Sequence, residues 1–445
     1  MLAVLANRTY RHLFAAQVIA LLGTGLLTVA LGLLAFQLAG ERAGAVLGTA
    51  LAIKMVAYVT VAPFVGAFSA QLPRRAFLVA MDLVRAAIAL LLPFVTEIWQ
   101  IYVLIFLLQS ASAAFTPTFQ ATIPDVLTDE RDYTNGLSLS RLAYDLESLV
   151  SPIVAAALLT VISFHWLFLG TVIGFLASAA LVMSVALPVS PAAARTSGIY
   201  DRTTRGMRIY LATPRLRGLL ALNMAAAAGG AMVIVNTVVI VKVRLALGDG
   251  DLALMLASFG AGSMLAALTL PRLLDRLGDR PVMLAAAGAM AANLGALGIG
   301  TAVAPAATWT IVLCGWFALG VAYSAAHTPG GRLLRRSADA PDRPAVFAAQ
   351  FALSHACWLL TYPLAGWLGA SLPLPMLFGL FAGLTLIAVL IAAAVWPAHD
   401  PEVLPHGHAD LPEGHPHLAA HAKEASVTHA HAYMIDDLHP RWPAR

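Results

Sequence analysis

The chain has 445 residues, of which 60% are hydrophobic and only 11% carry a charge, with a mean hydropathy of +0.81 and a formal net charge of +4. Soluble domains carry charge on roughly 25% of their residues. The composition therefore excludes an ordinary soluble globular protein and indicates a chain that lies largely in lipid.

Apolar segments recur along the whole chain, each long enough to cross a membrane as a helix, which needs about 20 residues for a hydrocarbon core of ~30 Å. They contain too little alternation for a transmembrane β-barrel. The sequence therefore predicts an all-α membrane protein with twelve transmembrane helices. In chain order the predicted spans are 13–38, 45–68, 76–96, 98–115, 137–162, 166–187, 218–241, 252–274, 281–302, 308–328, 345–369 and 374–396.

Lysine and arginine are distributed unequally between the two sets of loops. One set has only Arg42, Lys242 and Arg244, whereas the other has many arginines, including six between Pro188 and Arg217. Cytoplasmic loops are the ones enriched in Lys and Arg. We therefore predict that both termini are cytoplasmic, and we interpret the Pro188–Arg217 cluster as an anchor at the membrane surface, not as a nucleic-acid site.

The same polar stretch divides the chain into equal sets of spans. We predict an N-terminal six-helix half (1–187), a cytoplasmic linker (188–217), a C-terminal six-helix half (218–397) and a histidine-rich cytoplasmic tail (398–445). The two halves repeat one local pattern, since 66–75 follows span 2 and 271–280 follows span 8. Such internal repeats are typical of secondary transporters, which bind their cargo between the repeats.

The second of these repeats carries a known motif. Asp275-Arg276-x-Gly278-x-Arg280 resembles the Gly-x-x-x-Asp-Arg-x-Gly-Arg-Arg loop of the major facilitator superfamily, in which a glycine turn places charged groups beside neighbouring helix ends. The first-half copy keeps Arg74 and Arg75 but has Ala and Gln in place of Asp-Arg. The resemblance implies the fold of that superfamily and a role for these residues in conformational change.

Three further segments resemble the NreB-type nickel-resistance exporters of the superfamily, whose members also end in a histidine-rich cytoplasmic tail. The segments are 115–125, 141–147 and 350–358. In span 5, Ser151-Pro152-Ile-Val-Ala155-Ala156 resembles the superfamily's antiporter motif with its glycines replaced by other small residues. The resemblance implies a bacterial inner-membrane exporter of nickel.

Six charged residues lie inside predicted spans, where each costs roughly 2.5–3.5 kcal/mol at a helix centre and therefore needs a partner. They are Lys54, Asp82, Arg85, Arg141, Asp145 and Glu147. Asp82 with Arg85, and Arg141 with Asp145, have the spacing of ion pairs on one helix face and are interpreted as a gating network. Glu147 lies near the membrane midplane, and we predict that it couples transport to protons, paired with Lys54. No lysine ends a phosphate-binding loop, so transport is expected to be secondary.

Nine of the thirteen histidines lie in the last 47 residues, beginning at His399. Imidazole is a common ligand for divalent transition metals, and an extended His-x-His pair directs both rings to the same side. Ni²⁺, Cu²⁺ and Zn²⁺ all remain compatible with such ligands. The predicted metal ligands are His406, His408, His415, His417, His421, His429 and His431 in the tail, with His327 and His355 in the spans. The tail is rich in Pro, Ala, Gly and acidic residues, so we expect it to be disordered until metal binds.

These observations favour a monomeric exporter of divalent metal, nickel first, driven by protons and without a resident cofactor. Two alternatives stay open. One is an exporter of an organic compound, such as a drug or a siderophore, with an incidental tail; the other is a membrane-bound metal buffer or sensor. An enzyme is not expected, because no catalytic set of residues lies outside the spans.

Overall fold

The computed structural model describes residues 2–39, 43–69, 72–188, 199–401, 403–407 and 428–443, and in these ranges the chain is almost entirely helical. The helices are α1 (Arg8–Ala39), α2 (Ala43–Ser69), α3 (Arg74–Leu91), α4 (Ile98–Val126), α5 (Glu130–Leu159), α6 (His165–Met183), α7 (Ile199–Ala212), α8 (Pro214–Val238), α9 (Asp249–Leu277), α10 (Asp279–Val303), α11 (Thr308–His327), α12 (Gly330–Ser337), α13 (Arg343–Ser371) and α14 (Leu374–Val395).

Within the described ranges, eleven helices are long and apolar enough to cross a membrane. The twelfth long helix is α5, which has the length of a span but carries Arg141, Asp145 and Glu147. The predicted all-helical fold is therefore confirmed. The largest differences from the predicted boundaries are that α4 continues through Pro117 and Pro124 to Val126 and that α5 begins at Glu130. The ends of these helices extend beyond their most apolar stretches, which were all that the hydropathy pattern detected.

Each half is held together by close helix crossings at glycine. In the N-terminal half, α1 packs on α6, where a Cβ on Gly174 would lie 3.1 Å from the carbonyl oxygen of Ile19. In the C-terminal half, α9 packs on α11, where a Cβ on Gly262 would lie 2.0 Å from the carbonyl oxygen of Phe317. Small residues at such crossings allow the backbones to approach, which is how helices associate where the solvent is lipid.

The two halves contact each other mainly through α2 with α13 and through α5 with α9. We call the end of the bundle that carries Arg74, Arg131, Arg332 and Arg343 the basic face. At this face, ion pairs described below join the halves, so the space between them is closed on that side.

Two helices were not anticipated from the sequence. α7 lies within the predicted linker, has one apolar and one charged side, and packs against α2 and α13. α12 follows α11 after a short turn and presents Arg332, Arg335 and Arg336 at the basic face. Both helices are too short to span a membrane, and a search for long apolar segments passes over helices of this kind.

The described part of the tail contains two strands, which the composition did not predict. Strands β1 (Val403–Gly407) and β2 (Thr428–Ala432) pair antiparallel, with His406 opposite His429. After β2, Tyr433 and Ile435 are buried against the C-terminal half. This apolar contact and the strand pairing hold the described part of the tail at the C-terminal half, while the expected disorder of the tail before metal binds stays a prediction. His408, His415, His417 and His421 lie outside the described residues, as does the side chain of His429.

Candidate functional site

Arg141 lies at the centre of the contact between the halves. On α5, its guanidinium bonds to the Asp145 carboxylate one turn later, with nitrogen–oxygen distances of 2.5 and 3.3 Å. Its Nε also donates to Ser263 Oγ of α9 at 3.0 Å, and the guanidinium lies over the Tyr323 ring of α11, 5.0 Å from its centroid. The predicted Arg141–Asp145 pair therefore neutralises both charges inside the membrane and also links the two halves.

Glu147 of α5 and Lys54 of α2 both belong to the N-terminal half, on helices that each pack against α1, and both are half-buried. Electrostatic attraction couples the Glu147 carboxylate to the Lys54 ammonium group. A Cβ on Gly25 of α1 would lie 2.8 Å from Glu147 Oε1, so the glycine makes room for this carboxylate. Lys54 Nζ lies 5.5 Å from the centroid of the Tyr58 ring. The pairing of Glu147 with Lys54 that the sequence suggested stays a prediction.

His355 belongs to an aromatic cluster that joins α13 to α2 and α4. Its Nδ1 donates to the carbonyl oxygen of Phe351 at 2.7 Å, and its ring meets the Tyr58 ring edge-on with centroids 4.7 Å apart. Tyr58 in turn donates to Gln109 Oε1 at 2.8 Å. Because Nδ1 carries the proton of this hydrogen bond, Nε2 of a neutral His355 holds the lone pair of the ring.

A cavity of about 190 Å³ lies between Arg141 and the basic face. His327, the last residue of α11, lines it and stacks on Tyr323 with ring centroids 5.7 Å apart. Both halves contribute polar side chains to its wall, among them Gln17, Gln120, Ser140 and Arg141 from the first half and His327, Thr328 and Gln350 from the second. The wall also includes the aromatic rings of Phe119, Tyr144 and Phe347. The cavity thus lies between the two halves and has a mixed polar and aromatic wall.

Ion pairs close this cavity at the basic face. Asp125, at the end of α4, accepts from Arg74 at 2.5 Å and also from Arg343 at the start of α13. Arg332 of α12 donates to Glu130 of α5 at 2.5 Å. Asp125 and Arg343 are mostly buried and belong to different halves, so their contact must break when the basic face opens.

The Asp82–Arg85 pair lies elsewhere. Both residues are buried within the N-terminal half, where Asp82 accepts from Arg85 and, at 2.8 Å, from Ser178 of α6. The Arg85 guanidinium lies between the rings of Phe115 and Phe175, at 4.0 and 4.5 Å from their centroids. These contacts join α3, α4 and α6 of one half, so the geometry gives this pair a structural role within the half.

The loop motif is built as the glycine turn suggested. Gly278 separates α9 from α10 with a φ of 75°, a conformation that favours glycine. Arg280 donates to the carbonyl oxygens of Ala393 and Trp396 at the end of α14, where a positive charge is favourable. Asp275 reaches Arg131 at 4.0 Å. Arg276 lies in the exposed last turn of α9, and Arg75 is exposed beside the buried Arg74.

Several charged residues of the basic face were missed as functional candidates from sequence. The carboxylates that pair with the arginines of this face come from four such residues, namely Asp125, Glu130, Asp279 and Asp342. Asp279 is buried between Arg332, at 2.9 Å, and Arg336, at 3.7 Å. The sequence feature that could have identified them is the presence of acidic residues at the first or last turn of a span, at the same end as the arginines.

In the part of the chain that the structure describes, one group of three His, Cys, Asp or Glu residues has the geometry to hold a metal ion: His406, His431 and His439. His406 and His431 were among the predicted ligands, whereas His439 was not. His327 and His355 are not brought together with two further ligands in this conformation. The predicted His-x-His chelates fall largely on the residues without a description.

The fold and the polar cavity define a multi-pass membrane transport protein built from two helical halves. A sequence model described as "Major Facilitator Superfamily" matches residues 13–248 and 219–428. The chain therefore belongs to the major facilitator superfamily, and it is a transporter, not an enzyme. Among curated proteins, none matches the sequence significantly.

Solved structures share this fold at low sequence identity. The human organic anion transporter MFSD10 (TETRAN) is 13% identical with a TM-score of 0.70, over 86% of this chain and 99% of that one. The proton:xylose symporter XylE is 13% identical with a TM-score of 0.70, over 88% and 96%. A bacterial homologue of the iron transporter ferroportin in an outward-facing state is 15% identical with a TM-score of 0.66, over 87% and 98%. These likenesses show the fold alone.

Proposed function

We propose that this chain is an exporter of divalent transition-metal cations, nickel first, of the NreB type. It exchanges cytoplasmic metal for protons across a bacterial inner membrane, and both termini are cytoplasmic. In that orientation the basic face is the cytoplasmic face, so the conformation described above is closed toward the cytoplasm.

The observation that carries this proposal is the position of the tail. Asp400 contacts Arg215 at 3.3 Å at the start of α8, and Asp437 accepts from Arg205 of α7 at 2.6 Å. The described strands with their imidazoles therefore lie at the basic face, where the path between the halves begins. Imidazoles at this place would gather metal from the side from which an exporter takes its cargo.

The residues within the membrane provide for proton exchange. A proton-coupled antiporter needs a titratable group that alternates between water and cargo. Glu147 is half-buried and has one basic neighbour, Lys54, whereas Asp145 is held by Arg141. We therefore assign proton coupling to Glu147 and the link between the halves to Arg141 and Asp145. His355 and His327 are the imidazoles that a metal would meet along the path.

An organic cargo is the second candidate, and the cavity favours it. At about 190 Å³ the space is larger than one ion requires, and Phe119, Tyr144 and Phe347 give it aromatic walls. The relatives of similar fold include transporters of an organic anion and of xylose as well as a homologue of an iron transporter, so the fold itself does not choose between cargoes.

Transport into inverted membrane vesicles tests the proposal. With an imposed proton gradient, acid inside, vesicles containing the wild-type protein are expected to accumulate ⁶³Ni²⁺ and to lose internal protons on nickel addition. Glu147→Gln should abolish both signals. The matched control is Glu97→Gln, the same change at the loop before α4, which should keep them.

Vesicles that exclude nickel, cobalt and zinc but accumulate an organic compound would support the second candidate. Vesicles that bind metal without accumulating it would leave only a buffer or sensor. Undiminished proton-coupled nickel uptake by Glu147→Gln would contradict the assignment of the coupling carboxylate.

A further inference from the structure

Three imidazoles from separate parts of the tail converge at the basic face. His406 belongs to β1, His431 to β2 and His439 to the turn that follows. One ring nitrogen of each lies within 4.8 Å of those of the other two, and the ring centroids are 4.6–5.1 Å apart. The strand pairing and the turn therefore assemble three ligands that are far apart in sequence.

Hydrogen bonds determine which nitrogen of each imidazole ring carries the proton. The Nδ1 atoms of His406, His431 and His439 lie 2.9, 2.8 and 2.7 Å from the Leu404 carbonyl, the Ala432 carbonyl and Asp436 Oδ1, respectively. Each of these oxygens accepts, so each Nδ1 carries a proton. In the neutral rings, every Nε2 then presents a lone pair.

Two of these lone pairs face each other. His406 Nε2 and His439 Nε2 are 2.9 Å apart. With both Nδ1 atoms protonated, two neutral rings repel at this distance, so either a proton or a metal ion must lie between the two Nε2 atoms. Nitrogens that share one metal ion at ~2.0–2.1 Å are separated by roughly 2.8–3.4 Å for bond angles between square-planar and tetrahedral values. The spacing therefore fits two ligands of a single ion.

The surroundings of His439 have the form of a metal site. Asp436 Oδ1 accepts from the backbone N–H groups of Leu438 and His439, at 2.8 and 2.7 Å, as well as from the His439 ring. A carboxylate behind an imidazole orients a metal-binding ring and makes it a stronger ligand. His439 is only 3% exposed, so its ring is already held in place.

We propose that His406, His431 and His439 bind one divalent transition-metal ion, and that the loaded site holds the tail against the basic face as a metal-dependent latch. The three Nε2 atoms supply three ligands to this ion. Through this latch, the concentration of cytosolic metal would control closure of the transport path. This role rests on the proposed function, whereas metal binding by the three histidines does not.

A short chain of contacts connects this site to the gate. Asp437, next to Asp436, accepts from Arg205 Nη1 at 2.6 Å, and Arg205 also donates to both oxygens of Asp342, at 2.6 and 2.8 Å. Burial lowers the pKa of Arg205, but its bonds to Asp342 and Asp437 outweigh this and hold the pKa above its ordinary value. Asp342 directly precedes Arg343, which pairs with Asp125 of the other half.

Metal binding to the full-length protein in detergent tests the site. The background replaces His408, His415, His417, His421 and His429 with Asn, so that only the proposed ligands remain in the sheet and turn. We expect one Co²⁺ per chain in the tail, with visible absorption bands of a nitrogen-ligated ion. His439→Asn should weaken this binding at least 100-fold, and Asp436→Asn about 10- to 100-fold. The matched control His399→Asn, an exposed tail histidine, should leave it unchanged.

A background protein that shows no such Co²⁺ bands, or equal binding by His439→Asn and its parent at equal thermal stability, would overturn the site.

The latch is tested with diamagnetic Zn²⁺ and spin labels at Tyr200 of α7 and Pro440 of the tail, both exposed. Zn²⁺ should narrow the distance distribution in the background protein and not in His439→Asn. Binding without narrowing would overturn the latch. Absence of nickel uptake in vesicles alongside intact Co²⁺ binding would instead refute only the proposed function.

Discussion

Replacement of Arg343 by Gln is expected to favour opening of the basic face. Arg343 donates to Asp125 across the boundary between the halves, and both side chains are mostly buried, at 14% and 13% exposed. The substitution removes this ion pair without stranding the carboxylate, because Asp125 keeps its bond to Arg74 at 2.5 Å. The folded halves should therefore stay intact while the closed conformation loses a contact.

The size of the effect follows from the contacts. A hydrogen bond to a charged group contributes about 1.5–3 kcal/mol, equivalent to a factor of about 10–150 in an equilibrium. Arg74 and Arg343 share one carboxylate and repel each other, which offsets part of this gain. We therefore expect the lower end, a roughly tenfold rise in the ratio of open to closed molecules.

Distances between spin labels measure this ratio. The labels are placed at the exposed Ala6 and Ala398, which lie at the basic face on different halves, in a chain whose Cys314 and Cys357 are replaced by Ala. Arg343→Gln should increase the population at long distance. Arg208→Gln is the control, since it breaks an exposed ion pair with Asp201 inside α7. A distribution unchanged by Arg343→Gln, or shifted equally by the control, would refute the assignment of this pair as a gate contact.

Three other changes probe the packing. Gly262→Ala should destabilise the protein in detergent by about 1–3 kcal/mol, since the new Cβ meets backbone at the α9–α11 crossing, whereas Gly379→Ala, with open space around it, should not. Asp82→Asn should lower the free energy of unfolding by about 3–5 kcal/mol, because it leaves Arg85 buried without a counter-charge. The loss of stability should be smaller when Arg85 is also replaced by Met, and thermal unfolding of the single and double variants checks both statements. Truncation after Ala398 removes the apolar contact of the tail with the C-terminal half and should lower the melting temperature, which an unchanged melting curve would contradict.

Much of the fold could be read from local sequence. Lipid provides no hydrogen-bond partners, so each span must satisfy its own backbone as a helix, and a run of about 20 apolar residues is a sufficient signal. The same logic singled out the charged residues of α5 and Lys54, because a charge is conspicuous in such a run. The turn at Gly278 was equally predictable, since a turn between two long helices requires a residue that tolerates positive φ.

Which charges meet was decided by the tertiary structure. The spacing of Asp82 and Arg85 gave the pair correctly, but only the packing of α3 against α4 and α6 shows that it lies within one half. Asp125 and Arg343 are 218 positions apart, and the sequence contains no periodicity that connects them.

The tail shows most clearly what the sequence and the tertiary structure each determine. Its composition predicts metal binding, and the i, i+2 rule suggests ligands from neighbouring positions. The three imidazoles that converge come instead from two strands and a turn, and the turn that carries His439 follows Tyr433 and Ile435, which are buried against the C-terminal half. Local patterns report which segments are buried or polar, whereas the partners of a polar group depend on how distant helix ends and strands pack, and that information resides in three dimensions.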